Sequence, residues 1–217
     1  MARRRRKKRI RYVGRRYSIR SLLILMMLAL SVFFFFQSPY FNVSAIGVTG
    51  NVALSKPQVR KLSGITRGTN IFRVNTKAVE EKILLNPFVA SVEVERDLPS
   101  AISIRIVEYE PIAVIPVEGK FMEVSKEGYC LSHCTGISKL NLPVVSGLGI
   151  KKATPPGAKV ENTHLPLVLK ILNETKEKGI IAELDVHDIV RINMYTFSKT
   201  KILLGNKYQL EEKISLA

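Results

Sequence analysis

NPFVASVEVERDLPSAISIRIVEYE, residues 86–110, is the stretch that decides how this chain folds. Ala90, Val92 and Val94 alternate with Ser91, Glu93 and Glu95; beyond the turn Asp97-Leu98-Pro99-Ser100, Ile102, Ile104 and Ile106 alternate with Ser103, Arg105 and Val107. A period of two across a turn predicts a β-hairpin with one face buried and one in water. Upstream, Asn75 or Thr76 caps a helix of about ten residues with Val79, Ile83 and Leu84 inward and Asn86-Pro87 as its stop. Before that, Ser55 with Gln58 is a capping-box pattern, Pro57 sits in the tolerated first turn, Val59 and Leu62 share a face, and Gly64 closes the helix. A strand around Val43–Val48 and the turn Thr49-Gly50-Asn51 open the series. The predicted order over residues 42–109 is β-α-α-β-β, an α+β arrangement.

Ahead of this unit lies SLLILMMLALSVFFFF, Ser21–Phe36, which carries no charge. A helix continued through Tyr40 reaches about 30 Å, the thickness of a bilayer's hydrocarbon core. Eleven Lys and Arg precede it and no acid does, and no charge follows until Lys56. The positive-inside rule therefore predicts a single-pass anchor over 21–40, a cytoplasmic tail over 1–20 and export of everything beyond. A cleaved signal peptide fits poorly, because its apolar core is about 7–15 residues and a small-x-small site follows closely; here four Phe are followed by Gln37-Ser38-Pro39-Tyr40.

The net charge of +16 resembles that of a nucleic-acid binder, but its placement argues otherwise: beyond residue 20, 23 Lys and Arg face 18 Asp and Glu. The run Arg3–Arg9 beside an anchor reads as a topogenic signal touching lipid headgroups, and no nucleic-acid partner is expected.

Downstream, hairpins are legible at Ile112–Val117 and Lys120–Val124 across Glu118-Gly119, with Tyr129–Ser132 following. A helix capped at Thr163 presents Leu165, Val168, Leu169 and Leu172 on one face. Strands return at Ile180–Val186, Ile189–Tyr195 and Lys201–Leu204. The expected division is 42–110 and 111–217, the second part a mixed-sheet β domain.

The run from Asn86 to Ile115, with an aromatic after Pro87, Val94-x-Arg96-x-Leu98-Pro99 and Glu108-x-x-Pro111-x-Ala113, resembles the POTRA domain and its exit in the FtsQ/DivIB family of bacterial cell-division proteins. Lys126-Glu127-Gly128, LPVVSG at Leu142–Gly147, and KILLGN followed by Glu211, Glu212 and Lys213 extend the likeness. It implies a non-enzymatic divisome scaffold at the septum of the cytoplasmic (inner) membrane, linking early cytoplasmic-side division proteins to those of late septal peptidoglycan synthesis. Its partners would be FtsB/DivIC-type and FtsL-type bitopic proteins and, through them, the septal peptidoglycan synthase. It also implies docking at the C-terminal sheet edge, here Val190, Ile192, Met194, Lys201 and Leu203, with Lys201, Lys207 and Lys213 favouring an acidic partner segment. Family members continue past the Glu211-Glu212-Lys213 element, so the resemblance implies either that the sequence ending at Ala217 is shortened or that the partner-binding edge is reduced.

No catalytic or cofactor arrangement stands out. Asp185-Val186-His187-Asp188 offers the one cluster for the alternative of a membrane-anchored envelope enzyme, at a probable strand end where such residues also serve as turn formers. An export or outer-membrane assembly component using the POTRA-like module is a further alternative. Cys130 and Cys134, with His133 between, are open to three readings: free thiols, a local disulfide, or three of four zinc ligands.

Overall fold

The computed structural model describes residues 19–136, 141–175 and 178–205. Helix α1 (Ile19–Phe36) buries none of its residues and is long and apolar enough to cross a membrane. Its 18 residues reach ~27 Å at ~1.5 Å each. It stops at Phe36 rather than continuing through Tyr40, because Pro39 has no N–H to donate to the preceding turn. A 3-10 turn at Pro39–Phe41 follows, with Ser38 Oγ accepting from the Tyr40 amide.

The first hydrophobic core is built by β1 (Ala45–Thr49), α2 (Lys56–Ser63), α3 (Thr76–Leu84), β2 (Val89–Asp97) and β3 (Ala101–Glu108). The capping box forms as the sequence predicts, with Gln58 accepting from the Ser55 amide at 2.8 Å and Ser55 Oγ accepting from the Gln58 amide. Gly64 closes α2 in the left-handed region, and Asn75 caps α3. The two helices carry the chain across the sheet, so β1 lies parallel to β3, from Ala45↔Ala101 to Thr49↔Arg105, and the sheet order is β1-β3-β2. Ile102, Ile104 and Ile106 are buried as the alternation requires.

Two side chains depart from the pattern. A bulge between Val89 and Ser91 shifts the register, so Val89 enters the core and Ala90 is left half-buried. Leu84 is 46 % exposed, because the inward stripe of this short helix is Val79–Ile83 alone.

Polar side chains then fasten the frame. Glu108 accepts from the amides of Ala53 (2.6 Å) and Leu54 (3.1 Å), tying the loop after β1 to the end of β3. Arg96 donates to the carbonyls of Ile71 (3.1 Å) and Val74 (2.7 Å). The anchor helix is fastened too. Asn70 Nδ2 donates to the Phe36 carbonyl at 2.7 Å, Arg73 Nη2 to Gln37 Oε1 at 2.8 Å, and the Phe72 ring meets Phe36 edge-on at 5.2 Å.

Two residues, Tyr109 and Glu110, lead into a second sheet. It contains β4 (Pro111–Val117), β5 (Lys120–Ser125), β6 (Cys130–Cys134), β7 (Val144–Ser146), β8 (Ile181–Asp185), β9 (Ile192–Thr196) and β10 (Lys201–Gly205). Tyr109 stacks on Tyr129 at 4.9 Å, and burial with the neighbouring Tyr129 pushes its phenol up; Glu110 pairs with Lys126. The strand order is β10-β9-β8-β7-β4-β5-β6, with β7 parallel to both β4 and β8 and the other pairs antiparallel. The turn Glu118-Gly119, both at positive φ, joins β4 to β5. Helix α4 (Leu165–Glu174) covers the sheet with Leu165, Val168, Ile171 and Leu172, while Leu169 is half-buried. Its N-cap position is His164 rather than Thr163, with no side-chain capping bond; Asn162 Oδ1 accepts from the His164 and Leu165 amides, and its Nδ2 donates to the Leu148 carbonyl at 2.8 Å.

Candidate partner-docking edge

The outer side of β10 is the candidate docking edge of this sheet. Thr196 N–H donates to the Thr200 carbonyl at 3.0 Å, and Thr196 Oγ1 accepts from the Thr200 amide at 3.1 Å, which closes the β9–β10 hairpin. From there the register runs Lys201↔Tyr195, Ile202↔Met194, Leu203↔Asn193. In an antiparallel pair, hydrogen-bonded and non-bonded positions alternate. With Thr196 and Thr200 bonded, Ile202 bonds to β9, and Lys201 and Leu203 turn their amide and carbonyl groups outward. Among the described residues no strand lies beyond β10.

The side chains sort by the same alternation. Lys201 and Leu203 project from the face opposite the core, Leu203 being 69 % exposed. Lys201 Nζ sits 5.6 Å from the centre of the Tyr195 ring, within cation–π range. Tyr195 in turn lies opposite Glu183, whose carboxylate accepts from Ser146 Oγ at 2.6 Å. Ile192 and Met194, which the sequence reading placed in the docking set, are buried at 0 % and 1 %. They serve the core and only their backbone belongs to the edge region. Val190 is exposed but belongs to a turn, held by Asp188 accepting from its amide; β9 begins at Ile192 rather than Ile189. Lys207, Lys213 and the basic tail lie outside the described residues. Tyr195 and the exposed Phe197 in the β9–β10 turn were not singled out from sequence, although the period of two in INMYT places Tyr195 beside Asn193 on the outer face.

Comparison with known proteins finds relatives of this chain. The major extracytoplasmic domain of DivIB from Geobacillus stearothermophilus aligns over 50 % of this chain and 87 % of that one, at 13 % identity and a TM-score of 0.30. Cell division protein FtsQ of Syntrophotalea carbinolica is 29 % identical over 166 residues, 74 % of this chain and 58 % of that protein. Cell division protein DivIB of Clostridium botulinum (strain Hall) is 26 % identical over 215 residues, 96 % of this chain and 84 % of that protein. Residues 41–109 match the family described as "POTRA domain, FtsQ-type". The chain is a DivIB/FtsQ homologue. The FtsQ-type POTRA match coincides with the β1-β3-β2 unit, and the residues that suggested it, Arg96 and Glu108, are the two that lock loops onto its sheet.

In this DivIB/FtsQ homologue the other polar clusters are structural. Asp185 Oδ1 accepts from the His187 amide at 3.1 Å and meets His187 Nδ1 at 2.7 Å, contacts that hold its carboxyl below the usual range. Asp188 performs the same turn service for Val190, and His187 is exposed, so the cluster closes the turn after β8. Cys130 and Cys134 occupy the two ends of β6, four residues apart. At ~3.3 Å per strand residue their Cα atoms are about 12–13 Å apart, whereas a disulfide needs less than about 7 Å. Both thiols are free. Cys130 Sγ is 3.6 Å from His133 Nε2 and Cys134 Sγ is 3.6 Å from the Phe121 carbonyl, so the three side chains do not converge on one point.

Burial, with Glu123 nearby, pushes the Cys130 thiol up to about 11. Thiolate is the reactive form, so a maleimide reagent at pH 7 should label one thiol, Cys134, in the folded protein and two after denaturation. Two labels at equal rates in the folded state would contradict the packing of β6.

Proposed function

We propose that this chain is a non-enzymatic scaffold of the division septum. In this reading α1 crosses the cytoplasmic membrane once, with the basic tail of residues 1–20 inside, and residues 42–110 and 111–217 act as two exported domains. The partners are FtsB/DivIC-type and FtsL-type bitopic proteins and, through them, the septal peptidoglycan synthase. The observation that supports it best is the outer side of β10, where the backbone groups of Lys201 and Leu203 face outward beside a cation and an exposed Leu. An extended partner segment adds to such an edge through main-chain hydrogen bonds, with alternate side chains supplying specificity. Lys201 favours a segment with an acid opposite it.

The test is Leu203→Pro. Proline removes an amide that faces outward rather than one used between β9 and β10, so docking loses a donor while the native ladder keeps its bonds. Recovery of the FtsB/DivIC-type partner by copurification should fall about tenfold, the scale of one hydrogen bond lost at an interface. The melting temperature should stay close to that of the parent. Undiminished partner recovery with Leu203→Pro would overturn strand addition at β10.

A further inference from the structure

The charges of this chain are segregated in a way the septal reading does not use. No Asp or Glu occurs before Glu80. From Gln37 to Val79 there are six Lys and Arg and no acid, whereas from Glu80 onward eighteen acids meet seventeen Lys and Arg. The fold carries two of those six, Arg67 and Arg73, to the end of the first domain from which α1 departs. Val43 and the loop Gly68–Thr69 exchange backbone hydrogen bonds at 2.9 Å each, which sets Arg67 beside the exit of the anchor; Arg73 reaches Gln37 itself. Both are exposed.

The same end displays apolar side chains. Tyr40 is 64 % exposed, Phe72 43 % and Leu98 60 %. Phe72 is steadied on one side by the rings of Phe36 and Phe41, each 5.2 Å away. Leu98 stands in the β2–β3 turn, which is joined to the residue before β1 by Ser44 N–H donating to the Ser100 carbonyl at 2.8 Å. One acid, Asp97, shares this turn. Asn70 and Arg73 fasten this end to the last helical turn and the residue after it. The charge-free apolar run Ser21–Phe36, ~24 Å as a helix, falls short of the ~30 Å of a hydrocarbon core. Spanning it draws Gln37–Phe41, and the domain face fixed to them, into the interfacial layer. Aromatic rings prefer that layer, and cations there meet lipid phosphate.

We propose that this end of the first domain is a lipid-seating surface, with Phe72, Tyr40 and Leu98 in the outer headgroup layer and Arg67 and Arg73 on anionic lipid phosphates. The proposal rests on the reading of α1 as a membrane anchor. Its occupant is the bilayer rather than a protein, because the surface is continuous with the apolar helix and its cations outnumber its acid.

The chain has no Trp, so a single introduced Trp reports without background. Four full-length variants, Phe72→Trp, Leu98→Trp, Phe34→Trp in the anchor and Leu85→Trp at the far end of α3, are reconstituted alone into phosphatidylethanolamine/phosphatidylglycerol vesicles. Part of the lipid carries bromine at a shallow acyl position. Emission from Phe72→Trp and Leu98→Trp should fall about twofold in brominated vesicles, while that of Leu85→Trp should hardly change, as expected for interfacial and aqueous side chains. Quenching of Leu98→Trp should weaken when phosphatidylcholine replaces phosphatidylglycerol, or when Arg67→Glu and Arg73→Glu are added. Quenching of Phe34→Trp without quenching of Phe72→Trp and Leu98→Trp overturns the lipid seat and leaves the anchor standing; a protein partner for this face would give that outcome. Absence of quenching in Phe34→Trp overturns the anchor and the seat together. Quenching insensitive to both charge changes overturns the role of the two arginines.

Discussion

Gly147→Ala should unfold the sheet that carries β10 and leave residues 41–109 folded. Gly147 follows β7 at φ +88, where a side chain already costs about 1–2 kcal/mol. The larger effect is contact: its Cβ would stand 2.2 Å from the His187 nitrogen and 2.7 Å from the Val186 carbonyl carbon. Those are backbone atoms at the end of β8, and Val186 N–H is committed to the Ser146 carbonyl at 2.9 Å. Strand β7 has three residues, yet it alone joins β4 to β8. Displacing its end parts the sheet into β8-β9-β10 and β4-β5-β6. The loss should exceed ~4 kcal/mol, beyond the ordinary range of point substitutions. Limited proteolysis with mass spectrometry reads it: cleavage should spread through 111–205 while 41–109 stays protected. Gly149→Ala is the control, since Gly149 also has positive φ but meets nothing within 4 Å; it should cost about 1–2 kcal/mol. Equal behaviour of the two variants would contradict the close approach of β7 to His187.

Gly50→Ala should have the converse effect, unfolding the POTRA domain. Gly50 lies at φ +79 at the end of β1, and its Cβ would fall 2.0 Å from the Ile106 carbonyl oxygen. Ile106 is central to β3 and 1 % exposed, so neither backbone has room to retreat. The loop that follows is pinned by Glu108 at Ala53 and Leu54 and by Asn51 Nδ2 donating to the Leu54 carbonyl at 2.9 Å, which blocks relief from that side. A loss above ~4 kcal/mol is expected against ~1–2 kcal/mol for Gly68→Ala, a positive-φ site with nothing within 4 Å. Circular-dichroism melts of the two variants separate the cases, and coincident melts would show that β1 and β3 can part at Gly50 without cost.

The sequence was informative wherever a local rule acts through neighbouring residues. The alternation in β2 and β3, the Ser55–Gln58 box, the Asn75 cap and the Gly64 terminator each need only a few residues, and each formed. Long-range choices were not legible. The bulge that exchanges Ala90 for Val89 is a matter of pairing with β3, and β7 is too short to display a period. The N-cap position of α4 falls at His164 rather than Thr163, and the amide of Leu165 is met by Asn162, which also reaches Leu148, a partner fourteen residues back. At the candidate edge the signal was present but applied to the wrong face: Ile192-Asn193-Met194-Tyr195 alternates, so its apolar members belong to the core and its polar ones to the surface. The choice between an open and a covered strand depends on the order of seven strands, which no segment encodes alone.

That order has a consequence for reach. The chain enters the second sheet at β4, and β10 lies four strands to one side. At ~4.8 Å per strand, a segment added beyond β10 would run about 24 Å from β4 along the sheet. Under the proposed function, a bitopic partner docked there would be held off to the flank of this molecule, and its own membrane helix need not touch α1. The sheet would work as an outrigger that sets the lateral spacing between two anchors through the number of its strands, so that adding or deleting one would move the neighbouring helix by a fixed step.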